Sequence, residues 1–328
     1  MKQWLHPGFW IALILVMGLG LWPVFSRDAA TREVGFTILL AVTMAVSLNI
    51  IMGYTGYVSF GHVVFYGLGG YTGMYLINAW NAPLPLAVLG GGAASALLAF
   101  LLGKAILRLR GAYFALATIG VNEAVRTFIA NFGPFGGPTG IELQFSVYKP
   151  YGGPAQALWL TYYGVLGISI FAVIFSYFIK SSKFGLGLMS IREDEDAAEV
   201  LGVVTPNVKT MAFVFSAFLP GMLGVLFFFK NGNVEPGDAF RLSFSIESLV
   251  MIMLGGQGTL LGPVIGALGY QRLRGALLTS NAMIGTLPLK DFQLVIAGLL
   301  MLLIILFIPG GLIGWLRQRF PRLRRILA

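Results

Sequence analysis

GFTILLAVTMAVSLNIIM, residues 35–52, contains no charged side chain. A helix that crosses a bilayer needs about 20 mostly apolar residues, and this stretch is long enough. Apolar runs of similar length recur along the chain, at 8–25, 35–52, 62–80, 84–107, 112–130, 158–179, 209–229, 245–270, 275–289 and 292–308. Glycines interrupt the eighth run and the ninth is short. We therefore predict an all-α, polytopic membrane protein with about 8–10 transmembrane helices and no soluble domain.

The composition supports a chain embedded in a lipid bilayer. Hydrophobic residues make up 57% and charged residues 11% of the sequence, whereas soluble domains are about 25% charged. The net charge of +9 comes from basic residues at the ends of apolar runs, a distribution typical of membrane topology and not of nucleic-acid binding. The chain has no cysteine, and His6 and His62 lie far apart. We therefore predict no metal and no cofactor.

The basic residues also predict an orientation. If the amino terminus is cytoplasmic and all ten runs cross, fifteen Lys and Arg residues lie inside, among them Arg272 and Arg274, and six lie outside. This imbalance predicts that both termini are cytoplasmic. Lys2 followed by the run 8–25 is also the pattern of a signal peptide. No clear small-x-small cleavage site follows the run, so we favour an uncleaved first helix.

Residues 181–208 form the most charged stretch and are predicted to lie inside. Ser190 and Glu193 have the spacing of a capping box, which predicts a helix start. Gly202 is a helix stop and Pro206 prevents continuation. Together these signals predict one helix of about eleven residues at 191–201. A solvated connecting helix would show the same pattern.

Asp196-Ala197-Ala198, three residues, then Gly202 resembles the EAA-loop signature of ABC-importer permeases, with Asp196 in place of the family's Glu. Further stretches resemble the branched-chain amino acid permease subfamily, in the order found in that family: LNIIMGYTGYVSFGH at 48–62, GAYFALAT at 111–118, FGLG and IREDEDAA within 184–198, SIE at 245–247, LGGQGTLLGP at 254–263 and IPGGL at 308–312. The resemblance is closest to the second of the two permease subunits.

The resemblance implies a single transmembrane permease domain over 1–328, in a bacterial inner membrane, with an EAA-type coupling loop at 181–208. It implies four protein partners beside the lipid bilayer: a second homologous permease subunit, two cytoplasmic ABC ATPase subunits and an extracytoplasmic solute-binding protein. The coupling residues that it indicates are Arg192, Glu193, Asp196, Ala197, Ala198 and Gly202. The implied mechanism is alternating access for branched-chain amino acids, although importers of urea and short amides have similar permeases.

The chain is predicted to be non-catalytic. No Gly-x-x-x-x-Gly-Lys-Ser/Thr phosphate loop occurs in it, so ATP hydrolysis is expected on partner subunits. A membrane-embedded enzyme would need clustered His, Asp or Glu residues, which the sequence does not offer. An ion-coupled secondary transporter is the other competitor. The docking-like helix and the scarcity of acidic residues deep within the runs, apart from Glu123, argue against it.

Two glycine-rich breaks, at 53–56 and 255–258, each precede a second glycine-rich run, which predicts two pseudo-repeats with broken helices. Broken helices are tolerated where they line a cavity or are buried in protein. The candidate pathway residues are Gly53, Tyr54, Thr55, Gly56, Ser59, His62, Gly255, Gly256, Gln257 and Gly258. Tight packing through glycine is the alternative, and it needs no substrate. His62 is either a structural hydrogen-bonding group or a substrate contact.

Among the charged residues within apolar runs, Glu123, Arg126 and Glu247 are candidates for a role in transport. Glu123 and Arg126 are three apart on a predicted helix, so they are expected to form an intramembrane ion pair. Such charges usually face the protein interior, and the pair is either structural or part of a gate. Near the outer end of its run, Arg126 can also reach the headgroups. Glu247 begins the eighth run, where an outer-mouth residue and a helix-start acid are equally consistent with the sequence.

Overall fold

The computed structural model describes residues 7–26, 28–279, 283–284, 287–288, 292–308 and 310–320. Helices dominate these residues, as expected where apolar runs must satisfy their backbone polar groups internally. The helices are α1 (Pro7–Ser26), α2 (Ala29–Thr55), α3 (Val63–Trp80), α4 (Leu84–Ile106), α5 (Ala112–Ala130), α6 (Pro154–Ser181), α7 (Lys183–Glu193), α8 (Glu195–Val200), α9 (Thr205–Asn231), α10 (Pro236–Ala239), α11 (Leu242–Gly255), α12 (Leu261–Thr279), α13 (Gln293–Phe307) and α14 (Gly311–Arg319).

Five of the described helices are long and apolar enough to cross a bilayer by length and composition: α1, α2, α4, α6 and α9. The described strands are two short antiparallel pairs, β1 (Ile141–Glu142) with β2 (Asn233–Val234) and β3 (Met283–Ile284) with β4 (Leu287–Pro288). The predicted all-α, polytopic membrane fold is confirmed.

Helix α2 occupies the centre of the molecule. Of its most apolar 18-residue window, 89% is buried by other helices of the chain, and it packs against α6, α9, α11 and α12. Its polar side chains find partners within the protein: the Thr43 hydroxyl donates to Leu39 O and lies 2.7 Å from Ser169 Oγ of α6. The apolar run quoted above is therefore the core of the fold.

The chain is broken at both predicted positions. Helix α2 ends at Thr55, before Gly56 with its φ of 79°, and α3 begins at Val63. Helix α11 ends at Gly255 and α12 begins at Leu261.

Helices α11 and α12 run antiparallel. Glu247 pairs with Arg274, and a Cβ on Gly266 would lie 1.8 Å from Met251 O. The prediction that 245–270 makes one crossing is therefore wrong, because the glycines at 255–258 reverse the chain. Arg274 lies beside Glu247, so the inside position predicted for Arg272 and Arg274 is also wrong. When Arg272 and Arg274 are counted outside, thirteen basic residues lie inside and eight lie outside. The imbalance therefore still predicts the same orientation.

The ninth apolar run, 275–289, is not a helix of its own. Residues 275–279 end α12, and β3 and β4 follow as a hairpin. The pairing of β3 with β4 satisfies part of the backbone of this run in place of helical hydrogen bonds. The chain ends, 1–6 and 321–328, lie outside the described residues, so the cytoplasmic position of both termini stays a prediction.

Candidate functional site

The two glycine-rich breaks meet each other in the folded protein. Asn49 of α2 donates from Nδ2 to Thr259 O at 3.0 Å, and its Oδ1 accepts from Gly258 N at 3.0 Å. Gln257 donates from Nε2 to Met52 O at 3.0 Å. We call residues 53–56 and 255–258 together the glycine junction. The second half follows the first by about 200 residues and is hydrogen-bonded to Asn49 and Met52, which directly precede the first half in α2.

Close backbone approach explains glycine at two positions of the junction. A Cβ on Gly53 would lie 2.9 Å from Gly258 N, and one on Gly255 would lie 1.7 Å from Gly262 O. Any larger residue would force these segments apart. The packing accounts for these glycines without a solute in contact with them.

Most of the other candidate pathway residues are buried and contact groups of this same chain. Tyr54 is buried, with its hydroxyl 2.8 Å from Ser176 Oγ of α6, and Thr55 bonds its own helix. Ser59 and His62 are buried, and His62 Nε2 lies 3.3 Å from Ser47 Oγ. Gly56 is exposed at the surface. The arrangement fits a structural role for these groups, and a pathway role for them stays a prediction.

Arg192 connects α7 to the glycine junction. Its Nη1 donates to Gly53 O at 2.8 Å. Gly53 lies in the last turn of α2, where carbonyl groups have no partner within their own helix. A cation there also complements the negative end of the helix dipole. Arg192, predicted as a coupling residue, therefore caps α2 from outside that helix.

The prediction of one helix at 191–201 is wrong, because the chain breaks at Asp194. Asp194 is extended at φ −158°, and its Oδ1 accepts from Asp196 N at 2.9 Å and Ala197 N at 3.0 Å, so it caps α8. Ser190 instead donates to Gly187 O inside α7. The sequence offers two cap residues of similar strength, and the aspartate is the one used.

The predicted stop at Gly202 is confirmed. Its φ is 89°, a left-handed conformation that favours glycine. Gly202 N donates to Glu199 O and Val203 N to Ala198 O, which is the hydrogen-bond pattern of a Schellman motif.

A buried ion pair ties α8 to α9. The Lys209 residue is only 3% exposed, and its Nζ lies 2.5 Å from Glu195 Oε1. Nζ also donates to Tyr57 OH and Leu107 O, each at 2.9 Å, while Tyr57 OH donates to Glu195 Oε2 at 2.6 Å. The buried ammonium therefore has three hydrogen-bond acceptors, as a buried charge requires.

A second ion pair lies at the surface beside the first. Arg110 donates to both carboxylate oxygens of Asp196, at 2.7 and 3.2 Å. This contact lowers the pKa of Asp196. Burial raises the pKa of Glu195, but hydrogen bonds from Lys209 and Tyr57 outweigh it and lower the pKa overall. Both carboxylates are therefore held in their charged form.

The side of this loop that faces away from the protein is apolar, and the described residues of the chain do not cover it. Val200 is 88% and Leu201 is 81% exposed, and Val204 beyond them is also exposed. Ala198 faces the protein and is buried, whereas Ala197 is exposed. Helix α8 is thus fixed on its inner side by charged groups and presents aliphatic side chains on its outer side.

Sequence reasoning missed several residues of this site: Asn49, Tyr57, Arg110, Glu195 and Lys209. Tyr57 and Glu195 lie inside the quoted family stretches, and a lysine early in an apolar run was a visible signal. Their pairing depends on contacts between residues 14 to 210 positions apart, which spacing along one helix does not reveal.

Glu123, Arg126 and Glu247, the charged residues singled out within apolar runs, are placed differently from expectation. Arg126 Nη1 lies 3.0 Å from Glu123 Oε1, but both side chains are exposed and do not face the interior of this chain. Glu247 is buried and paired with Arg274 at 3.1 Å. It lies beyond the first turn of α11, so it is not a helix-start acid, and a role at the outer mouth stays a prediction. Among the described residues, no group of three His, Cys, Asp or Glu side chains could hold a metal ion.

Comparison with known proteins agrees with this arrangement. The sequence profile described as "Branched-chain amino acid transport system / permease component" matches residues 33–305. The Escherichia coli K12 high-affinity branched-chain amino acid transport system permease protein LivM is 28% identical over 94% of this chain and 75% of its own length. The probable branched-chain amino acid transport permease protein LivM of Methanocaldococcus jannaschii is 25% identical, over 82% and 89%.

The Escherichia coli K12 permease protein LivH is 28% identical over 48% of this chain and 46% of its own. No solved structure matches the chain. The profile match covers most of the sequence and includes the glycine junction, α7 and α8. The chain therefore belongs to the family of permease components of branched-chain amino acid transport systems.

Proposed function

We propose that this chain is the transmembrane permease subunit of an ATP-driven ABC importer for branched-chain amino acids, in a bacterial inner membrane. Its partners are a second, homologous permease, two cytoplasmic ABC ATPase subunits and an extracytoplasmic solute-binding protein. Residues 1–328 act as one permease domain, and both termini are cytoplasmic. Ten crossings are made by α1 to α6, α9, α11, α12 and α13. The chain itself hydrolyses nothing.

The observation that carries the proposal is the two-sided character of α8. Val200 and Leu201 expose neighbouring aliphatic side chains on the side that faces away from the protein, and an exposed apolar patch of this kind marks a contact site for a partner. On the inner side, Glu195 is held by buried Lys209. A helix that must receive a force needs both an uncovered contact surface and a stiff attachment to the body of the protein.

Two connections lead from this segment into the membrane helices. Glu195 is bonded to Lys209 at the start of α9 and to Tyr57 just after α2. Arg192 is bonded to Gly53 in the last turn of α2. When the ATPase dimer closes on α8, both connections move α2 and α9 together with it. This supports alternating access driven from the cytoplasmic side.

The test is retention of the ATPase. An affinity tag on this chain should recover a second permease and two ATPase copies from membranes, identified by mass spectrometry. Leu201→Asp should lose the ATPases and keep the second permease, because a charge replaces an apolar contact. Phe145→Asp is the matched control, since Phe145 is equally exposed in the loop before α6.

Two results would overturn the proposal. One is recovery of wild-type chain without any ATPase, and the other is uptake that persists when the ATPase gene is deleted; both would support an ion-coupled transporter instead. Competition between labelled leucine and urea or acetamide tests the substrate. Leucine uptake blocked by isoleucine and valine, and not by the neutral solutes, is the expected result.

A further inference from the structure

Helix α5 is covered by the rest of the chain on one side only. Phe114, Thr118 and Asn122 are buried on its inner side. The opposite side is exposed and follows helical spacing, and we call it the open face of α5: Tyr113, Leu116, Gly120, Glu123, Ala124 and Thr127. Arg126 lies at the edge of this face and is exposed too.

The open face carries charge in the middle of α5, one of the proposed crossings. Glu123 follows the first residue of α5 by eleven positions, about 16 Å along the helix at 1.5 Å per residue. The Glu123 and Arg126 side chains are 60% and 44% exposed. A charged side chain that faces lipid at depth is strongly unfavourable, and mutual pairing offsets only part of this. Water or a polar partner next to this face removes that cost.

The open space around Gly120 also indicates that water or a partner lies next to this face. Gly120 lies in the middle of α5, and a Cβ built there would meet nothing within 4 Å. Glycine inside a helix is less favourable than alanine, and no close contact with the described residues of this chain explains the glycine here. The position leaves room outside the chain, one turn from Glu123 and Ala124.

We propose that the open face of α5 lines the translocation pathway, and that Glu123 and Arg126 hold the ammonium and carboxylate groups of a zwitterionic amino acid as it passes. The inference rests on the proposed importer function. The two groups lie 3.0 Å apart, with one charge of each sign, and so match the two charges of an amino acid backbone. Being exposed, they exchange partners at little cost.

The open face of α5 and the glycine junction are suited to different roles. The junction is packed inside the chain, whereas the open face of α5 is accessible from outside it. A zwitterion recognised only by its backbone charges can carry any aliphatic side chain, and Tyr113 and Leu116 provide apolar surface nearer the start of the helix. A neutral amide lacks both charges, so it gains hydrogen bonds but no ion pairing from the two groups.

The absence of cysteine makes the face directly testable. Gly120→Cys, Ala124→Cys and Thr127→Cys are made singly in the complete importer in native membranes and treated with a membrane-impermeant methanethiosulfonate. The controls are Leu97→Cys on α4 and Leu299→Cys on α13, which are 61% and 56% exposed and lie in mid-helix. The face positions should react at least about tenfold faster than the controls, and leucine should slow the reaction while urea does not.

Labelling no faster than at Leu97 overturns the inference and indicates that the face contacts lipid. Labelling of the isolated chain in detergent, but not of the complex, also overturns it and indicates packing against the second permease. Both results leave the importer assignment intact if the ATPases co-purify. Absence of the ATPases from the wild-type complex refutes the proposed function itself, whatever the labelling rates.

Charge substitutions test the ligand. Glu123→Gln and Arg126→Gln should each raise the leucine concentration for half-maximal uptake by about tenfold, with unchanged ATPase retention. Arg241→Gln, which breaks the exposed pair with Asp238, is the matched control and should leave that concentration unchanged. Half-maximal concentrations equal to wild type in both face variants would refute the zwitterion assignment.

Discussion

Arg192 of α7 donates a hydrogen bond to the carbonyl oxygen of Gly53 in α2 over 2.8 Å. The contact satisfies a carbonyl that α2 cannot satisfy itself, and it lies where Gly53 also approaches Gly258. One side chain thus joins the short helices of the 181–208 loop to the place where the two glycine-rich breaks meet. Loss of this contact should reduce the rate of transport more than it reduces the stability of the fold.

Replacing Arg192 by alanine should reduce uptake by about tenfold or more, since a hydrogen bond from a charged donor contributes about 1.5–3 kcal/mol. Arg192→Lys keeps the charge but not the reach, and should recover only part of the activity. Uptake per assembled complex is the measurement. Lys183→Ala, an exposed basic residue of the same helix, is the control. Equal loss in both variants would mean that general loop charge matters and the Gly53 contact does not.

The buried pair of Lys209 and Glu195 should respond differently to single and double substitution. Glu195→Gln leaves a buried ammonium without its counter-charge, at a cost of about 3 kcal/mol. Adding Lys209→Met removes the stranded charge and should recover most of that loss. Thermal unfolding of the purified complex measures both. A double variant less stable than the single variant would contradict the assignment of Lys209 as a paired, buried cation.

Asn49 should be essential for holding the glycine junction together. Asn49→Leu is similar in size but leaves Gly258 N and Thr259 O without partners, and a buried unpaired group costs about 1–3 kcal/mol. We expect a clear fall in unfolding temperature. Asn207→Leu, at an exposed position, should change stability by no more than about 0.5 kcal/mol. A stable Asn49→Leu protein would show that the junction is held by packing alone.

The ion pairs of α8 give a pH dependence with a definite sign. Hydrogen bonds lower the pKa values of Asp196 and Glu195 in the folded protein. Their stabilising contribution is therefore complete above the ordinary carboxyl pKa of about 4 and is lost as the pH falls through the lowered folded values. The unfolding temperature of wild type should exceed that of Asp196→Asn by a constant margin from pH 6 to 9. A margin that changes within this range would contradict the assigned shifts.

The fold followed from patterns that lie within single segments of the sequence. Apolar runs such as 35–52 predicted the helices, and glycine clusters predicted the breaks before α3 and α12. What the sequence did not reveal depends on contacts between distant segments. Whether 245–270 crosses once or returns is decided by the packing of Gly255 on Gly262, and that packing moved Arg272 and Arg274 to the other side.

The residues of the site divide in the same way, into those within a local motif and those that depend on distant contacts. Arg192, Asp196 and Gly202 were found because they belong to a short motif. Lys209 was not, because its partner Glu195 precedes the α8–α9 turn and nothing in the spacing relates the two. The helix boundary at Asp194 was missed because Ser190 and Asp194, four positions apart, can both cap a helix, and only the extended backbone of Asp194 decides between them.

The burial of α2 limits where this protein can be altered. Since other helices of the same chain surround it on nearly every side, α2 is screened from lipid along most of its length. We expect substitutions there to disturb the packing of the whole subunit. Engineering an importer of this kind toward new solutes should therefore begin on α5, whose outward side chains can be exchanged without repacking a single internal neighbour.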